Sequence, residues 1–141
     1  MEVSAQPNVK RILVIDKQKN WRVSAASSLR ERGFLVRESD SYTYEAESAK
    51  VGGERPDLVI IGCASVKRAE RELIAKILKD ERHLLVFSAS LPWGEMRAVF
   101  LAGVDDITDK TYDPDRLFTT VTDVFTNLES RSSFQLAKNK E

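Results

Sequence analysis

Short runs of consecutive apolar residues alternate along the chain with longer stretches in which apolar residues return every three or four positions. The first pattern marks a strand covered on both faces, the second an amphipathic helix. Arg11-Ile12-Leu13-Val14-Ile15 opens the series as a strand. Asn20 is the candidate cap of a helix from about Trp21 to Arg32, with Trp21, Ala25 and Leu29 in its stripe. Gly33 stands where a left-handed residue ends that helix. Phe34-Leu35-Val36 predicts a second strand, and about Thr43 to Val51 reads as a weak helix closed by Gly52-Gly53. Arg55-Pro56-Asp57 turns the chain into Leu58-Val59-Ile60-Ile61, the clearest buried strand.

The alternation continues to the end. Ala69, Leu73, Ile74 and Ile77 give a helix over about Ser65 to Lys79, and Leu84 to Phe87 a fourth strand. Pro92 suits the first turn of a helix that carries Met96, Val99 and Phe100 and stops at Gly103. About Asp105 to Thr108 is a short fifth strand. Asp113-Pro114 then starts a helix with Leu117, Val121, Val124 and Leu128 on its buried side. Five strands alternating with five helices predict an α/β doubly wound, flavodoxin-like (βα)5 fold, a parallel sheet of order 2-1-3-4-5 covered on both faces. In such a sheet functional groups gather beyond the carboxyl ends of the strands, near the switch point. Those positions are Asp16-Lys17, Gly62-Cys63, Ser88-Ala89 and Lys110.

Composition narrows the picture. A chain of 141 residues with 42% apolar side chains suits one domain with one sizeable core. Residues 1–8 are expected as a flexible N-terminus, 9–128 as the domain, and 129–141 as a polar tail or helix extension. The 22 basic and 22 acidic residues balance, which argues against direct nucleic-acid contact. No apolar run is long enough to span a bilayer, and the start has neither an apolar segment nor the charge pattern of a signal peptide. A cytoplasmic protein is therefore expected. A lone cysteine, Cys63, excludes an internal disulfide, and the lone His83 has no metal-ligand partners in the pattern, so no metal and no cofactor are expected.

Several segments together carry a resemblance: KRILVID (Lys10–Asp16), RPDLVII (Arg55–Ile61), LLVFSA (Leu84–Ala89), AGVDDITDK (Ala102–Lys110) and DPDRL (Asp113–Leu117). In this order and spacing the chain resembles the receiver domain of response regulators in two-component signalling, over about Lys10 to Leu128. The resemblance implies phosphoryl transfer onto an aspartate at the end of the third strand. Mg²⁺ would be held by that aspartate and an acidic pair after the first strand, assisted by a hydroxyl and a lysine. Asp16 matches the first acid of the pair, Ser88 the hydroxyl and Lys110 the lysine. The second acid, however, is Lys17, and the acceptor is Gly62.

A glycine cannot form an acyl phosphate, and a lysine in place of a carboxylate turns the pocket from net negative to net positive. Mg²⁺ seldom gives up water without carboxylate ligands. Thr111 stands where the family usually has a cis proline, Ile107 replaces a switching aromatic, and Cys63 to Arg71 lacks the usual proline–glycine turn, so the following helix is expected to begin early. The pattern predicts a degenerate receiver, a pseudo-receiver without enzymatic activity that acts by protein–protein interaction. Asp16 and Lys110 are expected to pair across the old pocket; Lys17, Lys110 and Ser88 gathered around an anion are the alternative. A redox or small-ligand module, or a receiver modified at Ser88, are others. Trp93, Leu101, Phe118 and Phe125 are candidates for a partner face made by the last two helices and fifth strand, for another signalling protein, another domain or a homodimer.

Overall fold

The computed structural model describes residues 9–90 and 92–139, with the side chains of the last helix described as far as Asn127. Residues 1–8, part of the segment 129–141 and the Leu128 side chain lie outside that description. The described residues form five strands, β1 (Arg11–Ile15), β2 (Leu35–Ser39), β3 (Leu58–Cys63), β4 (His83–Ser88) and β5 (Asp106–Asp109). They also form four helices, α1 (Lys19–Glu31), α2 (Arg68–Lys79), α3 (Trp93–Ala102) and α4 (Pro114–Asn139). The strands are all parallel, in the order β2-β1-β3-β4-β5.

Strand alternation divides the core into two layers. Ile12, Val14, Leu58, Ile60, Leu85 and Phe87 face α1 and α4, where they meet Trp21, Leu29, Leu117 and Val121. Leu13, Ile15, Val59, Ile61, Leu84 and Val86 face α2 and α3, where they meet Leu73, Ile77 and Val99. Both layers are needed because β3 is buried at all six positions. The chain leaves β1 for β2 on one side and returns to β3 on the other, so the switch point lies between the carboxyl ends of β1 and β3.

Four expectations are corrected. The segment 43–51 forms no helix; it is a turn followed by an isolated bridge from Val51 to Glu54, and it covers the sheet as a loop. Arginine side chains hold it by its carbonyls: Arg37 donates to Ser48 O and Lys50 O at 2.7 and 2.8 Å, and Arg11 to Val51 O at 2.6 Å. The cap of α1 is Gln18 rather than Asn20, because the Asp16 carboxylate turns the chain by accepting the Gln18 N–H at 2.9 Å. β2 begins one residue later and runs to Ser39, since Glu38 is held there by Arg22 and Arg30. Finally, α2 starts at Arg68 instead of early, with Glu70 reaching back to the Lys67 N–H at 3.0 Å. Gly33 does end α1, with φ +95° and its N–H bonded to Arg30 O.

Candidate functional site

The carboxyl ends of β1, β3, β4 and β5 surround an open cleft of about 400 Å³ whose lining includes Asp16, Lys17, Gln18, Tyr42, Glu70 and Lys110. Asp16 is 1% exposed at its base. Its Oδ1 accepts the Gln18 N–H, while its Oδ2 accepts no aligned hydrogen bond and instead lies 2.9 Å from Lys110 Nζ as a charge contact. Lys110 donates to Gln18 Oε1 at 2.8 Å and stands 5.3 Å from the centre of the Trp21 ring. The expected Asp16–Lys110 pair is thus present and almost wholly buried. Removing one member of such a pair costs about 3–5 kcal/mol, because the survivor keeps its desolvation penalty without its partner.

Gly62 lies between these groups. Its position in β3 points towards α1, in register with Phe87 of β4. A Cβ there would come within 2.6 Å of Asp16 Oδ2 and within 2.7 Å of Trp21 Cε3 and Cζ3. The indole of Trp21 is fully buried, lies 5.4 Å from the Phe87 ring and donates its Nε1–H to Thr111 O at 2.8 Å. Space beside the acceptor position is therefore taken by an aromatic side chain from the first turn of α1. Tyr42, from the loop that replaces a helix, covers the other side, donating its hydroxyl to Gly62 O at 2.6 Å. Burial, then the negative charge of Asp16, pushes the Tyr42 hydroxyl pKa well above its ordinary value, so it remains a donor.

The remaining candidates are spread apart. Lys17 is exposed at the rim of the cleft, its ammonium 4.8 Å from the centre of the Tyr42 ring. Ser88 is fully buried and donates to Ser90 O at 2.8 Å. Of the trio considered for an anion, Lys17 and Lys110 share the lining of the cleft, while the Ser88 hydroxyl is turned to Ser90 O and is not part of that lining. Ile107 is a core residue of the α2–α3 layer. Cys63 is buried, and burial raises its thiol pKa to about 11, against the easily formed thiolate that a redox sensor needs. Trp93 and Leu101 are 75% and 76% exposed on α3. Phe118 and Phe125 do not join them. Both pack on Phe34 in the seam between α1 and α4, on the opposite side of the sheet, with Arg32 over one ring and Lys10 over the other.

The donor set does not fit the Mg²⁺ of phosphoryl-accepting receivers. Its one matching carboxylate, Asp16, is engaged by Lys110, Gly62 offers no side chain, and Lys17 brings a positive charge. Among the described residues no group of three His, Cys, Asp or Glu side chains is placed to hold a metal ion. The sequence pattern does not single out Gln18 and Tyr42, and it places Trp21 only in the buried stripe of α1, not in the site. One signal pointed to Trp21: the largest side chain, five residues after Asp16, in a chain whose acceptor position has none.

No family model and no curated protein matches the chain. Solved structures do match in fold. A CheY-like response regulator receiver domain protein from Methanospirillum hungatei is similar at a TM-score of 0.72 and 19% identity, over 88% of this chain and 99% of the other. A response regulator from Thermotoga maritima gives 0.69 and 21%, over 84% and 98%. NtrX from Brucella abortus gives 0.70 and 19%, over 90% of this chain and 29% of the longer one. The architecture is that of CheY-like receiver domains.

Proposed function

We propose that the chain is an atypical receiver module of phosphorelay-type signal transduction, a pseudo-receiver that takes no phosphoryl group at the usual position. It acts by protein contact, without enzymatic activity of its own. One observation carries this reading: the acceptor position is a glycine whose absent side chain is replaced by the Trp21 indole. Substitution of the acceptor alone would leave room there for water or another group. Here a buried ring, hydrogen-bonded to the backbone before α4, occupies the neighbouring space. A cytoplasmic setting suits such a module, and no described helix is long and apolar enough to cross a membrane.

The contact surface we assign is α3, on which Trp93, Leu101 and the 43%-exposed Phe100 face solvent. Its partner is another signalling protein or another domain. Self-association through α3 and β5 is the second arrangement, favoured by Trp93 and Leu101 but not by Phe118 or Phe125. Modification at Ser88 and a redox role for Cys63 both conflict with the burial of those side chains. The test is incubation with Mg²⁺ and acetyl phosphate, followed by intact mass measurement and amide NMR. Unchanged mass and spectra are expected; a phosphoryl adduct on any residue near the cleft overturns the proposal.

A further inference from the structure

Between α2 and α3 runs a groove of about 100 Å³ lined by Arg71, Ile74, Ala75, Ala98, Val99 and Ala102. Ile74 and Val99 are buried and make its floor, whereas Ala75, Ala98 and Ala102 are exposed. Two alanines four residues apart on α3, facing a third on α2, leave little bulk between the helices, so another helix can approach closely. The space is somewhat smaller than the roughly 150 Å³ cavity that admits benzene, which suits about one aliphatic anchor. Leu101, next to this wall, is 76% exposed. α3 itself buries only Val99 fully, an unusually small share for so apolar a helix.

The unpaired charges nearest the exposed rim of the groove are cations. Arg71 lies in its wall, Lys79 follows two turns later on α2, and Arg97 adjoins Ala98; all three are exposed and form no ion pair among the described residues. Nearby carboxylates are already engaged: Glu72 with Arg68, and Glu70 with its own helix start. Glu95, one turn before Ala98 on α3, is half-buried, with one carboxylate oxygen buried and without a hydrogen-bond partner among the described residues, so it is turned inwards rather than to the rim. An apolar floor with small walls and unpaired cations along its edge matches the helix-in-groove mode of recognition.

We infer that the α2–α3 groove docks an acidic amphipathic helix of a partner protein. An aliphatic side chain enters between Ala75 and Ala98, and carboxylates on the helix flanks face Arg71 and Arg97. The inference rests on the reading that this module works by contact, and it names the chemistry of the partner. The groove is distinct from the cleft around Asp16, so a phosphoryl adduct in that cleft would overturn the earlier reading and leave peptide binding here unaffected.

The experiment pans an unbiased display library of helical peptides against the full chain, then measures the affinity of the enriched peptides by fluorescence anisotropy. Expected are peptides with aliphatic residues at helical spacing and a net negative charge. Their binding should weaken about tenfold in the exposed double variant Arg71→Glu/Arg97→Glu. Exchanging the peptide's glutamates for lysines should restore binding to that variant, which general damage to the fold would not allow. Circular dichroism should show both proteins equally folded. Enrichment of neutral or basic peptides, recovery of no helical peptide, or affinity indifferent to the charge reversal overturns the inference. So does sedimentation showing a dimer that the double variant dissolves, because the occupant would then be a second copy of this chain.

Discussion

A Cβ on Gly62 would meet Asp16 Oδ2 at 2.6 Å and two indole carbons of Trp21 at 2.7 Å, and neither neighbour is free to yield. Asp16 is fixed by Lys110 and the Gln18 N–H, and Trp21 is fixed by Thr111 O. Gly62→Asp should therefore fail to recreate an acceptor and should lower stability by about 1–3 kcal/mol through overpacking, with further loss from a second buried carboxylate. Chemical denaturation followed by circular dichroism reads the loss, and intact mass after acetyl phosphate reads the missing adduct. Adding Trp21→Ala should relieve the clash, so the two changes should be strongly non-additive. Cys63 gives a pH test. Its thiol stays protonated to about pH 11 in the folded chain, against an ordinary value of 9.0. As pH rises through 9 the unfolded chain loses this proton first, so stability should decline between about pH 9 and 11. Cys63→Ala should flatten that part of the decline, and the difference between the two proteins cancels the contribution of the tyrosines. The bare glycine near the end of β3 and the Asp16–Lys110 pair were legible because they depend on residue type at strand ends. The indole plug was not, because it needs the distance between a helix turn and a neighbouring strand.

At the scale of elements, β1, β3 and β4 were legible because burial on both faces leaves a nearly unbroken apolar run, whereas the edge strands β2 and β5 are half-exposed and carry polar residues, so only their place in the alternation pointed to them. The segment from Thr43 to Val51 misled because its composition resembles a poor helix. Its buried residues are Tyr44, Ala49 and Val51, and the partly buried Tyr42 and Ala46 join them on the core. They alternate as in a strand from Tyr42 to Ala46 and again from Ala49 to Val51, but the turn at 46–48 breaks the alternation, and the only ladder bond the segment makes is the isolated bridge of Val51 to Glu54. Long-range hydrogen bonds add to the few local ones, among them those of the Ser48 and Ala49 N–H groups to Glu45 O and of the Val51 N–H to Glu54 O. Arg37 and Arg11 bind its carbonyls, and the Tyr44 hydroxyl donates to Asp80 Oδ2 at 2.5 Å, with its pKa raised by burial and by that bond. Such ties predict which variants loosen the segment. Tyr44→Phe should cost about 1.5–3 kcal/mol, the range for a hydrogen bond to a charged group. Arg37→Ala should raise amide hydrogen exchange between residues 41 and 54 while leaving β3 protected. If exchange rose equally across the sheet, the loop would be part of the global folding unit and the arginine would have no local role.

Across the whole molecule, Trp21 ties together elements that lie far apart in the chain. Through Trp21, α1 is joined to the backbone at Thr111, just before α4, and through Lys110 to the end of β5. A switch requires two states that a ligand distinguishes. At these strand ends the polar side chains already have partners within the chain: Lys110 has Asp16 and Gln18, and Ser88 has the Ser90 carbonyl. Fluorescence can test this immobility because the two tryptophans lie in opposite environments, Trp21 fully buried and Trp93 75% exposed. In wild type, iodide should quench one component of the emission and spare the other. Trp93→Phe should leave a blue-shifted emission that resists iodide and reports on the plug alone. Mg²⁺ with beryllofluoride, added to this variant, should change neither its wavelength nor its quenching. Trp21→Phe keeps most of the bulk but loses the bond to Thr111 O, so it should increase millisecond exchange of amides at 110–113 in relaxation-dispersion NMR. If that loop stays as rigid without the indole N–H, packing alone holds it and the link between α1 and α4 is not what fixes the domain in one state.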